Sequence, residues 1–212
     1  KHKSVWIAHL EGRSKDSNDR TQERLIKMLG LEGDGATFTD RIRGINLMPV
    51  AISYEFDPND YLKVREFLLR RRDPEFKKSQ RDDLFSMETG ILRNKGRVHF
   101  AVTECLNPAI DAAIAPDADR AEAIATICAM IDNAIHSHYR LFPINYVAYD
   151  ELSGENRFSD QYSPEEKQAV DDYISGQLVK VDVENITDEE VGFMRSMMLT
   201  MYANPLKNKL KL

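Results

Sequence analysis

Apolar and polar residues come in short blocks over the first half of the chain and in longer helical stripes over the second. Val5, Trp6, Ile7 and Ala8 make a compact run of β-branched and aromatic residues between polar neighbours, which predicts a buried strand over 5–9. A loop of mixed charge follows. Asp19 with Gln22 three residues on predicts a capping box for a helix over 21–29, and Gly30 would end it. Three glycines within 30–35 predict a loop, without the Lys-Ser/Thr ending of a phosphate-binding P-loop. A short helix over 37–43 leads to a second apolar run, 45–56. Pro49 cannot donate a ladder hydrogen bond, so this strand is expected at an edge or with a bulge.

Asp57-Pro58 reads as a cap and first turn for a helix carrying Tyr61, Leu62, Val64, Phe67, Leu68 and Leu69, which ends in Arg70-Arg71-Arg72. Asp73-Pro74 starts another turn, so a helical insertion over about 58–95 separates the second strand from a third at 97–104. On that third strand Val98, Phe100 and Val102 share one face, and His99 lies on the other as a structural or exposed residue. Asn107-Pro108 opens a short helix. Ile124, Ile127, Cys128, Ile131 and Ile135 form a helical stripe over 120–139, with Asp117 and Asp119 as candidate caps. Pro143 opens a further helix, and 158–162 reads as loop. Ser163 and Thr187 each begin a capping box, for helices reaching about 180 and up to Asn204-Pro205. The last helix carries Met194, Met197, Met198 and Met201, which are read as core.

Composition narrows the class. In 212 residues, 42% are hydrophobic and 30% charged, which suits a folded domain and not a disordered chain. No apolar run approaches the ~20 residues of a spanning helix. A net charge of −6 argues against nucleic acid as a partner. Cys105 and Cys128 lack metal-ligand spacing and read as reduced core residues of a cytoplasmic protein. His136 and His138, two apart, do not share a helical face, so no metal pair is expected there. Lys77, Lys78 and Arg81 follow the three arginines and form a local basic cluster. It admits two readings: contact with anionic lipid headgroups, coenzyme A or an acidic acyl carrier, or a solvated helix end where cations offset the dipole.

The candidate chemistry lies in the first loop, Glu11-Gly12-Arg13-Ser14-Lys15-Asp16. Gly12 permits close approach of the backbone to a ligand. Arg13 offers a planar fork and Lys15 a point charge, and the helix start beyond them would add free N–H groups. These residues suit a small phosphate ester. They equally suit a solvated turn that caps a helix. A calcium loop over 16–19 does not match the twelve-residue spacing.

Glu11-Gly12-Arg13-Ser14 resembles the Glu-Gly-(Thr/Gly)-Arg-Ser motif of the glycerophospholipid acyltransferases, the glycerol-3-phosphate and lysophosphatidate enzymes. Met48-Pro49-Val50-Ala51-Ile52-Ser53-Tyr54-Glu55 is similar to that family's Val-Pro-Val-x-Ile block, and Gly96 to Glu104 to the strand that follows. The resemblance covers about residues 4–106. It implies an α/β fold with a mixed sheet covered by helices over 1–106, followed by a helical C-terminal region over 107–212. It also implies transfer of a fatty acyl group from a thioester, on acyl-CoA or acyl carrier protein, to a glycerol-phosphate or lysophospholipid hydroxyl. Arg13 and Lys15 would bind the phosphate, and Glu11 would hold the glycerol hydroxyl or anchor the loop. Gly12 would keep the backbone close, Ser14 would contact phosphate or the next turn, and Pro49 would shape the pocket. No bound cofactor or metal is implied, and contact with the inner face of a membrane is.

Two departures stand out. The loop is one residue shorter between Gly12 and Arg13 than in the family. The catalytic His-x-x-x-x-Asp, which precedes the Glu-Gly motif, is absent: none of His2, His9, His99, His136 and His138 has Asp five residues on. The chain begins without Met a few residues before an expected core strand, so an upstream part carrying the base is expected.

Overall fold

A computed structural model describes residues 4–8, 15–31, 35–115 and 117–212. The chain is mostly helical, with one sheet of two strands among these residues. Helix α1 (Glu23–Leu29) ends at Gly30, where a Cβ would run into the Phe38 ring of α2 (Phe38–Ile45). Thr37 and Asp40 form the capping box that starts α2. Strand β1 (Val50–Tyr54) pairs antiparallel with β2 (Val98–Val102), Ile52 facing Phe100. Helices α3 (Asp60–Arg72) and α4 (Gln80–Leu92) lie between the strands in sequence. The rest is helical: α5 (Asn107–Ala113), α6 (Arg120–Ser137), α7 (Pro143–Ser153), α8 (Pro164–Leu178) and α9 (Asp188–Lys209).

Two apolar cores hold these elements. Ile26, Ile42 and Ala51 pack with Ile110, Ile124 and Ile127 of α5 and α6. Val64 and Leu68 of α3 pack with Val147, Ile174, Met194 and Met198 of α7, α8 and α9. Each core thus draws on residues from both sides of residue 106. The methionines behave as core, as their spacing predicts: Met194, Met198 and Met201 are buried.

Four expectations need correction. The mixed sheet is replaced by an antiparallel pair in an α-rich fold. Residues 5–8 form no strand, and Val5 is 84% exposed. The cause is the lack of a partner: a β-rich run becomes a strand only against a neighbouring ladder. Asp19 does not cap α1, which starts at Glu23 with Gln22 as its N-cap; the Asp19 carboxylate accepts from the Tyr139 hydroxyl instead. Asn204-Pro205 does not end α9, which runs on to Lys209. Leu206 and Asn208 are buried there, and Asn204 donates to the Asp16 carbonyl at 2.7 Å, so packing outweighs the lost proline N–H. Among the described residues no helix is long and apolar enough to cross a membrane.

Candidate functional site

Glu11, Gly12, Arg13 and Ser14 lie outside the described residues, and the description resumes at Lys15. The Lys15 ammonium pairs with Glu66, a nearly buried carboxylate on α3. Lys78 lies 2.8 Å from the same carboxylate and Arg70 3.0 Å from it. Burial would raise the Glu66 carboxyl, yet hydrogen bonds from Lys15 and Lys78 bring it below its ordinary value. Lys15 is therefore an anchor of the loop on α3, its charge offset by Glu66.

Beyond Lys15 the loop is pinned on two further sides. The Tyr139 hydroxyl donates to Asp19 at 3.1 Å, and the His136 ring lies 3.1 Å from the Asp19 carbonyl. Burial, and then the Asp19 carboxylate, push the Tyr139 hydroxyl up, so it remains a donor. Burial lowers His136 from its ordinary value, so the ring is neutral at pH 7. These contacts hold Asp19 against the end of α6.

A cleft of about 360 Å³ opens beside Asp19. Ser17, Asp19, Ile52, Ser53 and Tyr54 line it. Lys63, Lys95 and Arg140 bring three cations to its lining. Lys63 is held 2.5 Å from Asp57, and the Lys95 ammonium donates to the carbonyls of Ile91 and Arg93. Arg140 is placed by its backbone N–H, which donates to the Ser53 hydroxyl at 3.0 Å. Asp57, Pro58 and Asn59, which lead into α3, border the same cleft. Its lining residues are largely polar and carry the carboxylates of Asp19 and Asp57 beside the three cations, and its volume is that of a small-molecule cleft.

Under the cleft lies a buried network. Asp60 is fully buried and accepts hydrogen bonds from the hydroxyls of Tyr173 and Tyr202, each at 2.7 Å. Tyr202 also takes the Asp57 N–H at 3.0 Å, and itself lines the cleft. Burial pushes the Asp60 carboxyl up to about 6 against the pull of the two tyrosines.

The second motif is divided by the structure. Pro49 is buried just ahead of β1, outside the cleft lining, and its carbonyl receives the N–H and hydroxyl of Thr103. Ile52, Ser53 and Tyr54 reach the cleft. Glu55 grips Arg97 through its Nε at 3.0 Å and Nη2 at 2.7 Å, closing the end of the strand pair beside Gly96, whose φ of 61° suits glycine. Lys63, Lys95, Arg140 and the Asp60 network were not legible as site residues. The only signal was an aspartate in the first turn of a helix, with a lysine three residues on.

A second depression, of about 460 Å³, is lined by Asp150, Asp171 and Arg195. Arg195 already bonds Glu151 and Asp171, and Asp150 already accepts from Phe158 and Tyr162, so these groups serve the fold. Burial pushes Cys128 up to about 11, which leaves it an unreactive thiol. Among the described residues no group of His, Cys, Asp or Glu is placed to hold a metal ion. No family profile, curated protein or solved structure matches this chain.

Proposed function

We propose that this chain supplies the acceptor side of an acyltransferase site, where a fatty acyl group passes from a thioester to a glycerol-phosphate or lysophospholipid hydroxyl. The observation that carries this reading is convergence on one cleft. Ser17 and Asp19, which follow the Glu11-Gly12-Arg13-Ser14 motif, line it together with Ile52, Ser53 and Tyr54 from the second motif. Lys63, Lys95 and Arg140 line the same space with Asp19 and Asp57, and since Lys63 is paired with Asp57, Lys95 and Arg140 are the cations left to meet a phosphate. A phosphate held there would fix the acceptor so that its hydroxyl meets the thioester, converting a bimolecular encounter into an oriented one. The acyl donor would be acyl-CoA or acyl carrier protein, and the work would be done at the inner face of a membrane. The proton of the attacking hydroxyl must go to a base. His-x-x-x-x-Asp is not among these 212 residues.

That absence favours one alternative, a non-catalytic anion- or lipid-binding module. Thiol release from acyl-CoA in the presence of glycerol 3-phosphate separates the two in the complete protein. Arg13→Ala is expected to lower kcat/KM for the acceptor about 10- to 100-fold, the value of one charge-assisted phosphate contact. Lys211→Ala, on the exposed tail, should leave it unchanged. Equal effects of the two substitutions would remove Arg13 from the site. Absence of turnover, with phosphate esters still bound, would establish the binding module.

A further inference from the structure

Helix α4 is built inside out. Its inward residues are small and polar: Ser86 and Thr89 are each 4% exposed, and the Ser86 hydroxyl donates to the Asp82 carbonyl at 2.8 Å. Gly90, on the same side, lies against Asn59 at the entry to α3, where a Cβ would come 3.0 Å from the amide nitrogen. The large apolar residues all point outward. Leu84, Met87 and Ile91 follow helical spacing along one line, and Phe85 and Leu92 flank it. Ile91 is 75% and Leu92 73% exposed. A continuous exposed stripe of this kind marks an interaction surface.

The charges around the stripe say what lies against it. Lys77 and Arg81 stand at its start and Arg93 at its end, all exposed and without an ion-pair partner among the described residues. Lys95 adds a fourth cation at the helix C-terminus. The Asp82 carboxylate accepts from Ser79 and lies 3.6 Å from Arg65, and Glu75, Asp83 and Glu88 are the opposing carboxylates of this stretch. A cationic rim around an apolar stripe on a protein of net charge −6 is complementary to an anionic, apolar partner. A second copy would meet the stripe with the same cationic rim, so self-association is disfavoured.

We propose that the outward face of α4 is the surface by which this protein lies on an anionic lipid bilayer. The helix would rest in the plane of the interface with Leu84, Met87 and Ile91 among the acyl chains and Arg81 and Arg93 at the headgroups. Glu88 lies within the apolar sector and weakens the contact. The inference does not rest on acyl transfer and applies equally to a lipid-binding module, so its test reads binding alone.

The test is flotation of the full chain with vesicles of phosphatidylcholine, with and without about one-third phosphatidylglycerol. Flotation is expected with the anionic vesicles, weaker with the neutral ones and weaker in high salt. Leu84→Ser with Ile91→Ser should reduce it by at least about tenfold, since both residues contribute apolar area. Both positions are exposed, so the variant keeps its fold, checked by its thermal melt. Glu88→Lys should strengthen binding to the anionic vesicles. No flotation with either vesicle, or flotation indifferent to the double variant, would overturn the proposal. A cysteine placed at residue 91 should react quickly with a maleimide in the absence of lipid. Protection there, or a dimer lost in the double variant, would identify a protein surface as the occupant and overturn it as well.

Discussion

Asp60 shows what one residue can do beneath a cleft. Its carboxyl is fully buried, and burial raises its pKa to about 6 from an ordinary 3.8. The folded state therefore holds this proton more tightly than the unfolded chain does. The stability that Asp60 contributes is greatest below about pH 4, falls as pH rises to about 6, and is flat above. The span corresponds to a loss on the order of 3 kcal/mol. Asp60→Asn should remove that slope, read as the difference between wild-type and variant urea unfolding at pH 4.5 and pH 7. An identical slope in both proteins would mean that Asp60 does not titrate in this range. Little of this was legible from the residues. Asp60 reads as an acidic first-turn residue, and only the packing of Tyr173 and Tyr202 around it makes it a buried acid.

At the scale of elements, local chemistry set most helix starts. The capping boxes at Ser163 and Thr187 form as their spacing predicts. Thr187→Ala should cost about 1 kcal/mol of unfolding free energy, seen as a lower urea midpoint with unchanged slope. A midpoint equal to wild type would show that Glu190 and Arg72 hold the start of α9 without the threonine. Those two form a two-point pair at 2.7 Å, and Arg72, ahead of the Thr187 N–H, pulls the Glu190 carboxyl down to about 2. Where elements depart from local signals, a partner decides. The run at residues 5–8 has strand composition without a ladder, and α9 runs through Pro205 because its last turns are buried. α4, expected only as part of a helical insertion over about 58–95, shows that the side of a helix that faces inward is set by its neighbours.

At the scale of the whole molecule, two cores are tied by specific bonds. Lys209, at the end of α9, donates to the carbonyls of Ser137 and Tyr139 at the end of α6, each at 3.0 Å. Asn204 holds the Asp16 carbonyl, and Ser53 on β1 receives the Arg140 N–H. The cleft lies along this seam, so its shape depends on both cores. Met198→Ala, in the core of α3, α7, α8 and α9, should cost about 2–5 kcal/mol. Because the cores share these ties, its thermal unfolding should stay a single transition at a lower Tm. Two separated transitions would show that the cores fold independently and that the seam is weak.

Hydrophobic periodicity, caps and proline positions, read along the chain, determined eight of the nine described helices at least in outline and located both strands, because these signals act between residues a few positions apart. They could not determine pairing. The expected mixed sheet, the strand at 5–9 and the cap at Asp19 all depended on groups distant in the chain. Tertiary structure alone decided that Lys15 turns to Glu66, that Lys63, Lys95 and Arg140 line one cleft, and that α4 turns its apolar side outward. Such choices are settled by burial and charge between residues far apart in the chain, where sequence spacing carries no signal.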